Sequence, residues 1–183
     1  MNKRLIKFGI FGIIIFAVIL LFGKPVYENY VASNYEKPTF VPYAEQNVFS
    51  SYSWPLFTIE GKELNFKKYK GKVLMVVFVS TKSKESLYQL YTLKKIYDDY
   101  KTKMEFIFVS NDSHSAINNY LVEKKYYFPL YVYLEDIPKD FSDASLPQTY
   151  VLSKKGRIAI DFSGPANWDN EEFRKLLDGL IKE

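Results

Sequence analysis

Cysteine is absent from all 183 residues. That absence excludes disulfides, thiolate metal ligands, iron–sulfur clusters and any cysteine nucleophile. It leaves the compartment open, because a protein can occupy an oxidising space without using it. Histidine is nearly absent: His114 stands alone between Ser113 and Ser115. A single imidazole gives a histidine metal site or a Ser–His–Asp arrangement little to work with, so His114 reads as a surface or helix-start residue. No glycine-rich phosphate loop occurs. Charge of one sign is also scarce, since 25 Lys and Arg against 21 Asp and Glu leave +4, dispersed without a long run. That dispersion argues against a nucleic-acid partner. Neither a metal nor a cofactor is expected.

What is present is apolar and aromatic. Hydrophobic residues reach 48%, and 16 Tyr with 15 Phe supply enough bulk for a dense core without disulfide or metal support. The length exceeds one average domain of about 150 residues and leaves room for an appendage.

That appendage is at the N-terminus. Residues 1–7 carry three cations and no acid, and Phe8 to Gly23 is apolar without interruption. With Leu5 and Ile6 added, and Lys7 snorkelling, the run approaches the about 20 residues that cross a bilayer. The alternatives are a buried helix, which would usually show polar positions where this run has none, and a cleaved signal peptide, whose apolar region runs about 7–15 residues before a small-x-small site. This run is longer and ends in Leu21-Phe22-Gly23-Lys24, a poor cleavage site. The expected order is a cytoplasmic stub over 1–4, a transmembrane anchor over 5–23, an extended linker over 24–53 and a domain over 54–183. By the positive-inside bias the domain faces the periplasm or exterior from a bacterial inner membrane, as a single-pass protein. Pro25, Pro38 and Pro42 break any period in the linker, although its aromatics could pack on the domain instead.

Within the domain, Val73–Val79 is a short β-branched run that reads as a strand buried on both faces. Residues 84–100 put Leu87, Leu90, Leu93, Tyr97 and Tyr100 on one helical face. Met104–Val109 is a second strand, Ser113 caps a helix through Val122, and Phe128–Leu134 is a third apolar run. Gln148–Leu152 and Arg157–Phe162 form a hairpin turning at Gly156, and Asn170–Ile181 closes the chain as an amphipathic helix. The order β-α-β-α-β-β-β-α predicts an α/β fold, a mixed central sheet flanked by helices.

Three stretches resemble the membrane-anchored thioredoxin-like (TlpA/ResA-like) family of exported thiol–disulfide oxidoreductases. Leu56–Leu64 with Tyr69-Lys70-Gly71-Lys72-Val73 looks like its opening hairpin and entry to the central strand. Phe78–Ser86 falls where the family carries F-W-A-T-W-C-x-x-C. Leu146-Pro147-Gln148-Thr149-Tyr150 resembles its cis-proline strand. The resemblance covers about residues 54–183 and implies a thioredoxin-like fold. It places the two cysteines on Ser83 and Ser86, and the tryptophan before the motif on Lys82. A serine hydroxyl at a helix start stays protonated and forms no disulfide, so Ser83 reads as a helix N-cap and no catalytic residue is assigned.

The leading expectation is therefore a redox-inactive, membrane-anchored binding or scaffolding module with a protein partner in the cell envelope. Lys82, Lys84, Glu85, Leu146 and Pro147 would line its docking groove around the degenerate positions Ser83 and Ser86. The alternative is a family member with residual or non-thiol enzymatic activity. A third reading is a structural subunit whose anchor packs in the membrane, although Gly9 and Gly12 do not make a G-x-x-x-G spacing.

Overall fold

The computed structural model describes residues 34–134, 136–141 and 146–183. The expected stub, anchor and first linker residues, 1–33, lie outside them. Among the described residues no helix is long and apolar enough to cross a membrane.

Seven strands form one mixed sheet: β1 (Leu56–Thr58), β2 (Glu63–Leu64), β3 (Leu74–Phe78), β4 (Glu105–Ser110), β5 (Leu130–Val132), β6 (Gln148–Leu152) and β7 (Ile158–Ser163). Their order across the sheet is β2-β1-β5-β4-β3-β6-β7. Strand β3 lies in the interior of the sheet beside the middle strand, parallel to β4 and antiparallel to β6, and all five of its residues are buried. Its unbroken apolar sequence is what a strand covered on both faces requires. Among the described residues the α-helices are α1 (Lys84–Tyr100), α2 (His114–Lys124) and α3 (Glu171–Lys182). They start at Ser83, Ser113 and Asn170, whose side chains accept from Ser86, Ala116 and Phe173 N–H groups. Each cap satisfies one of the donors that a helix start leaves unpaired.

The two faces of the sheet are packed differently. On one, Leu90, Leu93 and Ile96 of α1 and Phe173 and Leu177 of α3 close over Met75, Val77 and Phe106. On the other no α-helix contributes among the described residues, and an aromatic layer fills the space. Phe49 and Phe141 stack at 4.7 Å, and Trp54 lies 5.9 Å from Phe78. Each ring buried there contributes about 1.5–3 kcal/mol by leaving water.

Residues 36–53 are extended apart from a 3-10 turn at Tyr43–Glu45 and a turn at 52–53, and they are not detached from the domain. The Asn167 N–H donates to the Glu36 carbonyl, Val41 to Ala159, Ile158 to Asn47 and Phe49 to Gly156, at 2.8–2.9 Å. Phe49 is in the aromatic core. The alternative in which the linker's aromatics pack on the domain therefore describes this part. The cause is the exposed rim of β7, whose backbone groups need partners that the segment supplies. Gly156 turns the β6–β7 hairpin at φ 76°.

Candidate functional site

The C-terminal ends of β3 and β4 and the start of β6 lie at one end of the sheet, where Phe78 pairs with both Val109 and Gln148. Chain reversal here exposes backbone donors, and short polar residues hold them. Ser83 Oγ accepts from Ser86 N–H at 3.1 Å and donates to Glu85 Oε2 at 3.0 Å. Ser86 is fully buried, and its Oγ accepts from Ser80 N–H at 3.1 Å. Both serines serve as acceptors for the turn into α1.

Asp112, just after β4, is the anchor of the same turn. Its buried carboxylate accepts from Ser80 Oγ at 3.1 Å and from Thr81 Oγ1 at 2.8 Å, and also from Thr81 N–H. Lys82 Nζ lies 3.7 Å away, with its side chain 79% exposed. Burial acts to raise the Asp112 carboxyl, but the hydrogen bonds from Thr81 and Ser80, with Lys82, outweigh it and hold it below the usual carboxylate range.

The Leu146–Pro147 peptide is cis, as the resemblance implied. Pro147 is buried and accepts from Gly164 N–H at 2.7 Å, while Leu146 is half-buried against the aromatic layer. Gln148 is buried, and its amide donates to Asp161. Burial raises the Asp161 carboxyl, and the Gln148 bond only partly offsets this. Of the expected groove residues, Lys82, Lys84 and Glu85 are exposed.

This set offers little chemistry. The hydroxyls of this turn pair with two carboxylates, Ser83 with Glu85 and Ser80 and Thr81 with Asp112, and Asp112 is held low. The Glu85 carboxyl is held low by its own backbone N–H and by Ser83, which makes it a poor base for a hydroxyl. His114 is the exposed first residue of α2. Among the described residues no group of three or more His, Asp or Glu side chains is placed to hold a metal.

Sequence reasoning missed Asp112, Ser80 and Gln89. Gln89, in the second turn of α1, is fully buried. Its Nε2 donates to Thr149 Oγ1 at 2.7 Å, and its Oε1 accepts from Trp168 Nε1 at 2.7 Å and Ala166 N–H at 3.2 Å. For Asp112 a signal existed: Ser80-Thr81 and Asp112 each follow one of two adjacent parallel strands, which end at the same rim of the sheet.

A profile of the AhpC/TSA family matches residues 49–160. The chain is 26% identical over 128 residues to the thiol-disulfide oxidoreductase ResA of Bacillus thuringiensis subsp. konkukian, spanning 68% of this chain and 70% of that protein. It is 25% identical over the same length to ResA of Bacillus cereus. Among solved structures, the thioredoxin domain of a thiol-disulfide oxidoreductase from Bacteroides vulgatus superposes with a TM-score of 0.58 at 16% identity, over 69% of this chain and 91% of that one. A secreted thiol-disulfide isomerase from Corynebacterium glutamicum gives 0.59 at 12% identity, over 81% and 93%. These two structures share the thioredoxin-like fold.

Proposed function

The chain belongs to the AhpC/TSA family as a TlpA/ResA-like thioredoxin-fold protein, and on that premise we propose that it is a redox-inactive binding module tethered in the cell envelope. With no cysteine it has no thiolate to attack a disulfide and no pair to form one. The observation that carries the reading is the fate of the two positions where the resemblance puts sulfur. Ser83 caps α1 and Ser86 is buried under Ser80, so the turn is stabilised by oxygen acceptors while its outer rim stays open. That rim presents Lys82, Lys84 and Glu85 beside half-buried Thr81 and Leu146, a polar surface suited to a protein partner. The apolar run over 8–23, extended to Leu5 with Lys7 snorkelling, supports an anchor that places the domain on the outer side of a bacterial inner membrane.

Two measurements on the full chain test this. In an insulin-reduction assay with dithiothreitol, precipitation proceeds at the uncatalysed rate; turnover would overturn the reading. A photo-crosslinking amino acid replacing Lys84 in native membranes gives a discrete protein adduct that the same group at Lys175 does not. Equal or no adducts at both positions would remove the case for this rim as the docking surface.

A further inference from the structure

At the opposite end of the sheet from Ser83, three separate stretches of chain converge. They are the turn into β3, the turn between α1 and β4, and the β6–β7 hairpin. Their meeting point is a cleft of about 210 Å³ whose lining includes Lys72, Lys101, Lys103, Lys154 and Glu105. Four lysines thus surround a single carboxylate, which Lys72 already pairs at 2.7 Å. Two more exposed lysines continue the patch. Lys68 shares the Tyr69 ring with Lys72, at 5.0 and 5.9 Å, and Lys155 follows Lys154 in the hairpin. The other acids near this end are largely engaged. Asp98 is held between Lys94 and Lys101, and Asp178 accepts from Tyr100, leaving Glu183 at the end of α3. A charge that is scattered along the sequence is therefore concentrated at one pole of the fold.

We propose that this lysine pole binds a soluble phosphate-bearing polymer, with one phosphate seated in the cleft and its neighbours on the surrounding lysines. The lysine ammonium groups are compact point charges on flexible stems, which suit phosphate oxygens arriving in several orientations. An exposed cationic cleft also attracts a polyanion from a distance, with an attraction that salt screens. Of the three aromatic rings beside the lysines, Tyr69 and Tyr100 are buried and Tyr97, half-buried under Lys101, is packed against Phe106 and Phe128, so the pole offers no free ring for stacking nucleobases. Where the described chain begins favours a soluble polymer over a bilayer. Tyr35 lies against Tyr88 near the start of α1, and Lys37 pairs with Glu172 at the start of α3. These first described residues therefore lie at the end of the domain away from the lysines. The inference is independent of the proposed docking at Ser83.

The test uses the full chain in nanodiscs and inorganic polyphosphate carrying a terminal fluorophore, read by anisotropy. A Lys101→Gln/Lys103→Gln/Lys154→Gln variant binds at least about tenfold more weakly, a loss of about 1.4 kcal/mol. A Lys37→Gln/Lys95→Gln/Lys175→Gln variant, which removes the same charge elsewhere, binds like the parent. Far-ultraviolet circular dichroism checks that both variants are folded. Binding is the same in phosphatidylcholine and phosphatidylglycerol discs. Absence of binding at low salt, or equal losses in the two variants, overturns the site. Binding lost only in phosphatidylglycerol discs overturns the soluble polymer in favour of an anionic bilayer.

Discussion

Gln89 Oε1 accepts the indole Nε1–H of Trp168 at 2.7 Å, deep between α1 and the loop that leads into α3. The same oxygen takes the Ala166 N–H, and the amide nitrogen reaches Thr149 on β6. One side chain thus joins the helix next to the site to two elements far away in sequence.

Replacing Gln89 with Leu leaves three buried polar groups without partners. Each unpaired group costs about 1–3 kcal/mol. The variant loses about 3 kcal/mol or more in urea unfolding followed by Trp fluorescence. A loss under about 1 kcal/mol would mean that water replaces the amide.

Ser83→Ala removes the α1 cap and lowers stability by about 1 kcal/mol, whereas Ser83→Asp restores it, because a carboxylate accepts the same N–H groups and favours the positive helix end. Thermal melts of the two variants check this. Equal losses in both would show that Ser83 is not acting as an acceptor.

Asp112 links the site to acidity. Its folded carboxyl sits below its ordinary value of 3.8, so it contributes stability that is complete above that value and is lost as pH falls through the lower folded value. As pH falls below that ordinary value, unfolding free energies of the parent therefore drop more steeply than those of Asp112→Asn, which is less stable at neutrality. Parallel pH profiles would show that the carboxylate is not the group responsible.

Gly156→Ala meets two obstacles at once. The position has φ 76°, and a Cβ there would lie 3.1 Å from Tyr52 Oη and 3.3 Å from the Phe49 carbonyl oxygen. The backbone conformation alone costs about 1–2 kcal/mol. Hydrogen exchange should rise at Phe49 and Ile158, the amides tied to this turn and its covering segment. Unchanged protection would show that the segment holds without the hairpin.

Ser83→Cys/Ser86→Cys asks whether sulfur is the missing element of the reaction centre. The first thiol would occupy a helix start, where it ionises more readily. The double variant is expected to form an internal disulfide by mass spectrometry and to accelerate insulin reduction. A pair that stays reduced under mild oxidant would show that the turn has drifted from dithiol geometry.

The helices were legible because their spacing and caps agree. Ser83, Ser113 and the Asn170 start appear where the pattern puts them. Leu90, Leu93 and Tyr100 of the expected 84–100 face are buried, whereas Leu87 and Tyr97 are half-buried and Ile96 joins the core instead. Strand β3 was legible for the same reason, since only a strand buried on both faces carries so unbroken an apolar run. The third apolar run was legible only in part. Pro129 has no N–H to give a ladder, and pairing is confined to Leu130–Val132. Phe49 was hidden in a segment with no period, because its burial depends on an edge strand more than a hundred residues later. The Asp112 and Gln89 networks and the lysine pole were hidden likewise, each assembled from distant stretches that only the sheet brings together.

The strip of chain along β7 also decides how the domain would bear force. Its bonds run in sequence from Glu36 at the α3 end to Phe49 at the hairpin. A pull from the N-terminal side would load them in succession, Glu36 first, and peel the strip before stress reached the central strands. The domain then has a sacrificial seam. Peeling it would lengthen the connection by several residues while the site at Ser83 keeps its shape.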